Sequence, residues 1–208
     1  ISAWYWVCNN TISGGYGNCI DAGPVSGANT ISGGYANCTS NFVGFSNTVG
    51  GGAGNSASGY YCSTISGGGY NCLHDDGATI GGGCSNEVNA VAGTIAGGRN
   101  NWAYNGWAPT IAGGQNNIVH GGSSTVGGGK YNCVGGYNYD DNYDRCVHAG
   151  TIAGGDHNRI SDDVATIGGG CGNSVSAYAG TVSGGYCNHI RHSDGGTISG
   201  GMYNTLHV

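Results

Sequence analysis

The sequence predicts an all-β protein, a single-domain parallel β-solenoid of about twelve rungs of 15 or 16 residues. The first observation is an eight-residue phrase running from Thr to Asn, as in Thr11 to Asn18, which recurs at Thr11, Thr30, Thr48, Thr64, Thr79, Thr94, Thr110, Thr125, Thr151, Thr166, Thr181 and Thr197. The second is its internal rule: Ile or Val always stands second, Gly fourth and fifth, and Asn eighth. The third is a column two places after the Asn, apolar from Ile20 to Leu206 except at Thr39. Each rung thus carries two inward residues.

The elements follow in chain order. Residues 1–10 precede the repeat, and Ala3, Trp4, Tyr5, Trp6 and Val7 form the most apolar segment of the chain. They read as a capping or docking strand, because an end rung presents unpaired backbone groups together with its apolar column. Residues 11–208 form the solenoid. Its early copies, opening at Thr11, Thr30 and Thr48, are set wider apart than the regular ones, which places surplus residues such as Asp21 to Pro24 in loops at one edge. Regular spacing follows until a loop insertion at 134–150, rich in Tyr and Asp, stretches the interval between Thr125 and Thr151. The last copy supplies Thr197, Ile198, Leu206 and Val208, and its edge is the expected landing site for the docking strand of another copy. Such a contact is heterologous and does not close, so it polymerises along an axis.

Local chemistry explains how the phrase closes a rung. Thr, then Ile or Val, then a small residue has the alternation of a strand whose apolar residue faces in. The Gly pair supplies a tight corner. A second short strand carries the next inward residue, and a further corner at Gly77, Ala92, Ala108, Ser123, Ala149 or Ala179 returns the chain to the next Thr. Stacked at about 4.8 Å per rung, twelve rungs make a rod on the order of 55 to 60 Å long. Asn18, Asn37, Asn55, Asn71, Asn86, Asn101, Asn117, Asn132, Asn158, Asn173, Asn188 and Asn204 then lie above one another as an amide ladder.

Composition narrows the function classes. Five Lys and Arg against eleven Asp and Glu, a net charge of -6, cannot build a phosphate-binding stripe, so nucleic acid is excluded as a partner. There is no apolar run long enough to span a bilayer. A start at Ile1 without Met fits removal of a signal peptide. Ten Cys amid so few charges point to an oxidising, extracellular compartment. Cys19 with Cys38, Cys133 with Cys146, and Cys171 with Cys187 are the disulfide candidates, while Cys8, Cys62, Cys72 and Cys84 have several possible partners. Without a C-x-x-C pair or a shared His and Cys column, no metal centre is expected.

Other features read as structural first. Asp140, Asp141 and Asp144, with Asp75-Asp76 and Asp162-Asp163, offer carboxylates to a structural Ca²⁺ but match no known loop pattern, so no cofactor is expected. Of the two N-glycosylation sequons, Asn9 is the candidate, since Asn37 belongs to the ladder. Tyr16, Tyr35, Tyr70, Tyr131, Tyr186 and Tyr203 follow the Gly pair and serve corner packing or sugar stacking. The outward Thr column makes a flat face of small side chains. No nucleophile motif, carboxylate pair or phosphate loop is present, so the chain does not read as an enzyme.

The phrase resembles the Hep/Hag repeats of YadA-like trimeric autotransporter adhesin heads, in their TIxGGxxN form, over roughly residues 11–208. That resemblance implies a left-handed β-roll, surface exposure, and adhesion or display. The expected function is an extracellular, disulfide-stapled structural subunit that stacks head to tail with itself into a filament or surface fibre. The alternatives are a trimeric adhesin or receptor-binding head that recognises glycans and, third, an ice-binding protein presenting the Thr face.

Overall fold

The computed structural model describes residues 9–44, 46–59, 61–138 and 143–207. The expected docking segment Ala3 to Val7, together with Cys8, Asp140, Asp141 and Val208, lies outside the described residues. Strands alternate along the chain between two parallel sheets of twelve strands each, the arrangement of a β-solenoid, and no helix occurs among the described residues.

The first sheet consists of two-residue strands, Thr11–Ile12 through Thr197–Ile198, and pairs Thr with Thr and Ile or Val with Ile or Val at every step. The second begins at Cys19–Ser26, ends at Thr205–His207, and pairs the residue after each ladder Asn with its counterpart. A third, one-residue column of parallel bridges follows the Gly pair, from Tyr16 with Tyr35 to Tyr186 with Met202. Strands this short hold because each has neighbours on two sides and every inward residue meets its own kind in the next rung.

The core lies between the two sheets. Ile31, Ile65, Ile80, Ile95, Ile111, Ile152 and Ile167 are fully buried in one column, facing Leu73, Val88, Val119, Val134, Ile160, Val175 and Ile190 in the other. Both inward columns are therefore where the sequence places them. Thr39 is also buried, and its hydroxyl has no hydrogen-bond partner among the described residues. Core cover thins at the two end rungs, where Ile12 is 44% exposed and Leu206 is only half-buried.

The Gly corner has two different glycines. At Gly98 φ is +94°, and an added Cβ would lie 2.2 Å from the Gly114 carbonyl oxygen of the next rung, so both conformation and close stacking demand glycine. At Gly97 an added Cβ would meet nothing within 4 Å. After the corner the seventh residue takes a left-handed conformation even where it has a side chain, as at Tyr70, Asn100, Asn116 and Tyr131. Its N–H turns back to the preceding rung, as Tyr70 donates to the Ala53 carbonyl at 2.8 Å.

Extra residues leave the rung stacking intact. Those of the first two rungs do not loop out as expected: Asp21 to Pro24 extend the strand Cys19–Ser26, which pairs with Cys38–Gly44 through a register shift between Ala22 and Val25. Parallel pairing with a neighbour of similar length satisfies backbone groups that a loop would leave to solvent. The insertion after Val134 forms an antiparallel hairpin, Gly136–Asn138 with Tyr143–Arg145, while Thr125 still pairs with Thr151 and Cys133 with Arg159. In the long early rungs a second amide ladder fills the return corner. Asn29 N–H donates to Asn10 Oδ1 (2.9 Å), Asn47 N–H to Asn29 Oδ1 (2.9 Å), and Ser63 N–H to Asn47 Oδ1 (3.0 Å). Later rungs place Ala78, Gly93, Pro109 or Ala165 at the same position, all buried.

Candidate functional site: the ladder, the rung edges and the Trp102 face

Each ladder Asn sits where the chain turns from the bridge column into the second sheet, with its side chain directed inward. Asn101 shows the pattern. Its backbone N–H donates to Asn86 Oδ1 at 3.1 Å, and its Nδ2 reaches Asn86 Oδ1, the Gly97 carbonyl of its own corner and the Gly114 carbonyl of the next rung, at 3.2, 3.0 and 3.0 Å. Its own Oδ1 accepts from Asn117 N–H (3.0 Å) and Nδ2 (3.2 Å). The amide-to-amide contacts follow from the sequence. The carbonyl contacts do not, and they explain why Gly-Gly and Asn recur together: the amide ties down the corner that the glycines make.

The ladder has unlike ends. Every ladder residue from Asn37 to Asn188 is fully buried, whereas Asn18 and Asn204 at the outer rungs are not. Within the stack, the strand and bridge-column N–H groups point to the next rung: Thr181 donates to Gly196, Ser183 to Ile198, Tyr186 to Gly201 and His189 to Asn204, at 2.8 to 3.0 Å. In the twelfth rung the equivalent donors on Thr197, Ser199, Met202 and Thr205, and the acceptor Asn204 Oδ1, meet no partner among the described residues. At the first rung, among the described residues, the Asn18 N–H likewise meets no preceding Oδ1 of the kind that every later ladder Asn uses.

Gly201 repeats the asymmetry. An added Cβ there would meet only Asn204 of its own rung, where its counterpart Gly185 would strike the Gly201 carbonyl at 2.2 Å. The edges also differ in charge. The first rung carries Asp21 on the outward face of the second sheet, in register with Ser40. The same column ends with Arg191 in register with His207, whose ring packs edge-on against His192 at 5.6 Å. Burial and then the Arg191 charge hold the His189 imidazole pKa below its ordinary value.

The nine described cysteines are free thiols. Of the expected pairs, Cys19 and Cys38 are direct register partners. Burial, followed by the charge and hydrogen bond of Cys19, raises the Cys38 pKa. Cys171 bridges Tyr186 rather than Cys187, an offset of one residue, while the Cys187 N–H donates to the Cys171 carbonyl at 2.9 Å. Cys133 Sγ instead donates to the Gly135 carbonyl at 3.1 Å, and Cys146 Sγ lies 3.4 Å from His120 Nε2. Burial raises the Cys133 pKa against the opposing pull of Arg159.

A pairing the sequence reading missed is Cys72 with His74, whose Sγ and Nε2 are 3.1 Å apart, with Glu87 Oε1 3.6 Å from the same nitrogen. Residues two apart on a strand share a face, and that period was the available signal. Burial and then Glu87 hold the Cys72 pKa up, which keeps the thiol protonated.

The acidic pairs serve the return corner. Asp76 Oδ1 accepts Tyr61 N–H of the preceding rung (3.0 Å), and Asp163 Oδ1 accepts His148 N–H (2.8 Å). Asp194, which the sequence reading did not single out, accepts Tyr178 N–H in the same way at 3.1 Å. Among the described residues, no group of three or more His, Cys, Asp or Glu side chains has the geometry to hold a metal ion. Asn9 is exposed ahead of the first strand, and Asn37 is buried in the ladder. The corner tyrosines are exposed but paired at both ends of the rod: Tyr16 stacks on Tyr35 at 5.7 Å, and Tyr186 meets Tyr203 edge-on at 5.4 Å.

The outward face of the second sheet changes character at the sixth rung. The strand Trp102–Trp107 turns Trp102 outward at 48% exposure, with Trp107 at its far end at 70%. Two grooves flank Trp102. One, of about 300 Å³, is lined by Glu87, Asn89, Trp102, Ala103, Tyr104 and Asn105. The other, of about 270 Å³, is lined by Asn100, Trp102, Asn116 and Ile118. Tyr104 stacks on the buried His120 ring at 4.5 Å, and the Asn105 amide is 2.5 Å from His120 Nε2, so one groove wall is fixed in place.

Fold and surfaces together define a parallel β-solenoid scaffold built from one repeated rung. No protein-family model matches the chain, and no curated protein does.

Proposed function

We propose that the chain is a non-enzymatic structural protein of the extracellular space, a stiff solenoid that adds copies of itself head to tail into a filament. The observation that carries this reading is that, among the described residues, the first and twelfth rungs present complementary halves of one repeating pattern. Placing a first rung on a twelfth at the normal rung spacing gives the Asn18 N–H the Asn204 Oδ1, gives the Thr197, Ser199, Met202 and Thr205 donors carbonyl partners, and covers Ile12, Ile198 and Leu206. The same register sets Asp21 beside His207 and near Arg191, opposite charges on one outward column. Gly201 fits this stacking, since it leaves room for a corner above it. In an oxidising compartment Cys19 and Cys38 join across the first two rungs and lock that edge.

Negative-stain microscopy of the whole chain is the test, alongside a variant with Ile12→Lys and Leu206→Lys, which puts charge on the apolar column at both edges. The expected result is fibres from the parent chain and single rods from the variant, with unchanged far-UV circular dichroism. Fibres of equal length from the variant overturn the reading, and a discrete trimer from the parent favours an adhesin head instead.

A further inference from the structure

We infer that the face around Trp102 is a binding site for a neutral glycan, one pyranose ring stacking on the indole while its hydroxyls reach the amides on either side. The two grooves meet at Trp102, and the ring presents a flat apolar surface between a polar wall on one side and a wall of Asn100, Asn116 and Ile118 on the other. Asn89 and Asn105 line one wall, and Asn100 and Asn116 the other. An amide both donates and accepts, as a sugar hydroxyl does, so this lining suits a ring carrying a hydroxyl on most carbons.

Charge selects within that class. The only ionisable side chains among the groove-lining residues are Glu87 and Tyr104, no Lys or Arg lines either groove, and the chain carries a net charge of -6. Sialylated and sulfated sugars are therefore repelled, whereas a neutral hexose finds a carboxylate acceptor for two of its hydroxyls. The wall is also preorganised: the Tyr104 ring and the Asn105 amide are both held by His120, which is buried. A wall already in place loses less ordering entropy on binding than a mobile surface does. Trp102 stacking accounts for affinity and the asparagines for orientation.

The site is independent of the rung edges, and its test uses the whole chain both as it stands and with the edge-blocking Ile12→Lys and Leu206→Lys pair. Each is applied to an array of neutral oligosaccharides of glucose, galactose, mannose and N-acetylhexosamines, with sialylated and sulfated counterparts. The expected result is binding to one or more neutral chains and to none of the acidic counterparts. Trp102→Ala should weaken it about 10-fold or more, Trp102→Phe less, and Trp107→Ala, which lines neither groove, not at all. No neutral ligand at millimolar concentration, preference for the acidic sugars, or equal losses from Trp102→Ala and Trp107→Ala would each sink the proposal. Thermal melts of every variant separate a lost site from a lost fold, and Trp102→Phe keeps the test open if the alanine variant is unstable.

Discussion

The first rungs and the later ones solve the same closure problem by different means. The circuits from Thr11 to Thr30 and from Thr30 to Thr48 are longer than any later one except that carrying the hairpin, and their return corner is filled by Asn29 and Asn47, each bonded to the polar residue of the rung below. From Thr64 on, the circuits between Thr79, Thr94, Thr110 and Thr125 and between Thr151 and Thr166 are shorter, and the corner closes on Ala78, Gly93, Pro109, Ser124 or Ala165. A long circuit leaves a gap that takes a hydrogen-bonded Asn, whereas a short one leaves room only for a small residue, as at Ala78 or Ser124. The Gly-Gly corner and its Asn are identical in both regions. One corner is therefore fixed by the fold, and the other is adjusted to circuit length.

Substitutions at each corner test that contrast, and the largest effect belongs to the common corner. Gly98→Ala forces a Cβ onto the Gly114 carbonyl and should cost at least about 4 kcal/mol or prevent folding, while Gly97→Ala, with open space around it, costs less than about 1 kcal/mol. Gly34→Ala, in a long rung but with its Cβ 2.1 Å from the Gly52 carbonyl, should match Gly98→Ala in urea unfolding. A mild Gly34→Ala would show that the corner is not common after all.

Asn101→Ala comes next. It removes the tie to Gly97 and Gly114 and strands the Asn117 donors, an expected loss of roughly 3 to 4 kcal/mol read from the denaturation midpoint. Asn47→Ala tests the ladder peculiar to the long rungs. It frees the Gly59 carbonyl and Ser63 N–H, and about 2 kcal/mol should be lost; a neutral result would mean that the second ladder only occupies space. The smallest effect has the opposite sign. Thr39→Val keeps the shape of a buried side chain and removes a hydroxyl that has no partner among the described residues, so the melting temperature should rise by an amount equivalent to about 1 kcal/mol.

The features legible in the sequence were those that repeat. Thr, Ile or Val, Gly-Gly and Asn recur at fixed offsets because neighbouring rungs impose the same environment twelve times, and so both inward columns and the amide ladder follow from spacing alone. What escaped was set by local geometry within a rung. The ladder's bonds to the Gly97 and Gly114 carbonyls depend on which way the corner peptides point. The left-handed seventh residue is taken by Tyr70, Ser85 and His157 alike, so it leaves no residue signature. Asp76, Asp163 and Asp194 each stand three residues before a repeat Thr and bond across rungs, but most other rungs carry a different residue there, and the Trp102 grooves arise where one rung departs from the pattern. Among the cysteines, Cys19 and Cys38 share a column, and Cys171 and Cys187 stand one position apart on adjacent rungs.

The amide ladder also makes the rod a vector. Every Oδ1 from Asn18 to Asn188 points toward the higher-numbered rung, and every N–H that meets it points back. Two twelfth rungs brought face to face would set Asn204 oxygen against Asn204 oxygen, so a two-fold pair about that end is electrostatically unfavourable. Any polymer that grows along this axis must therefore have a distinguishable front and back, with separate rate constants for addition at each.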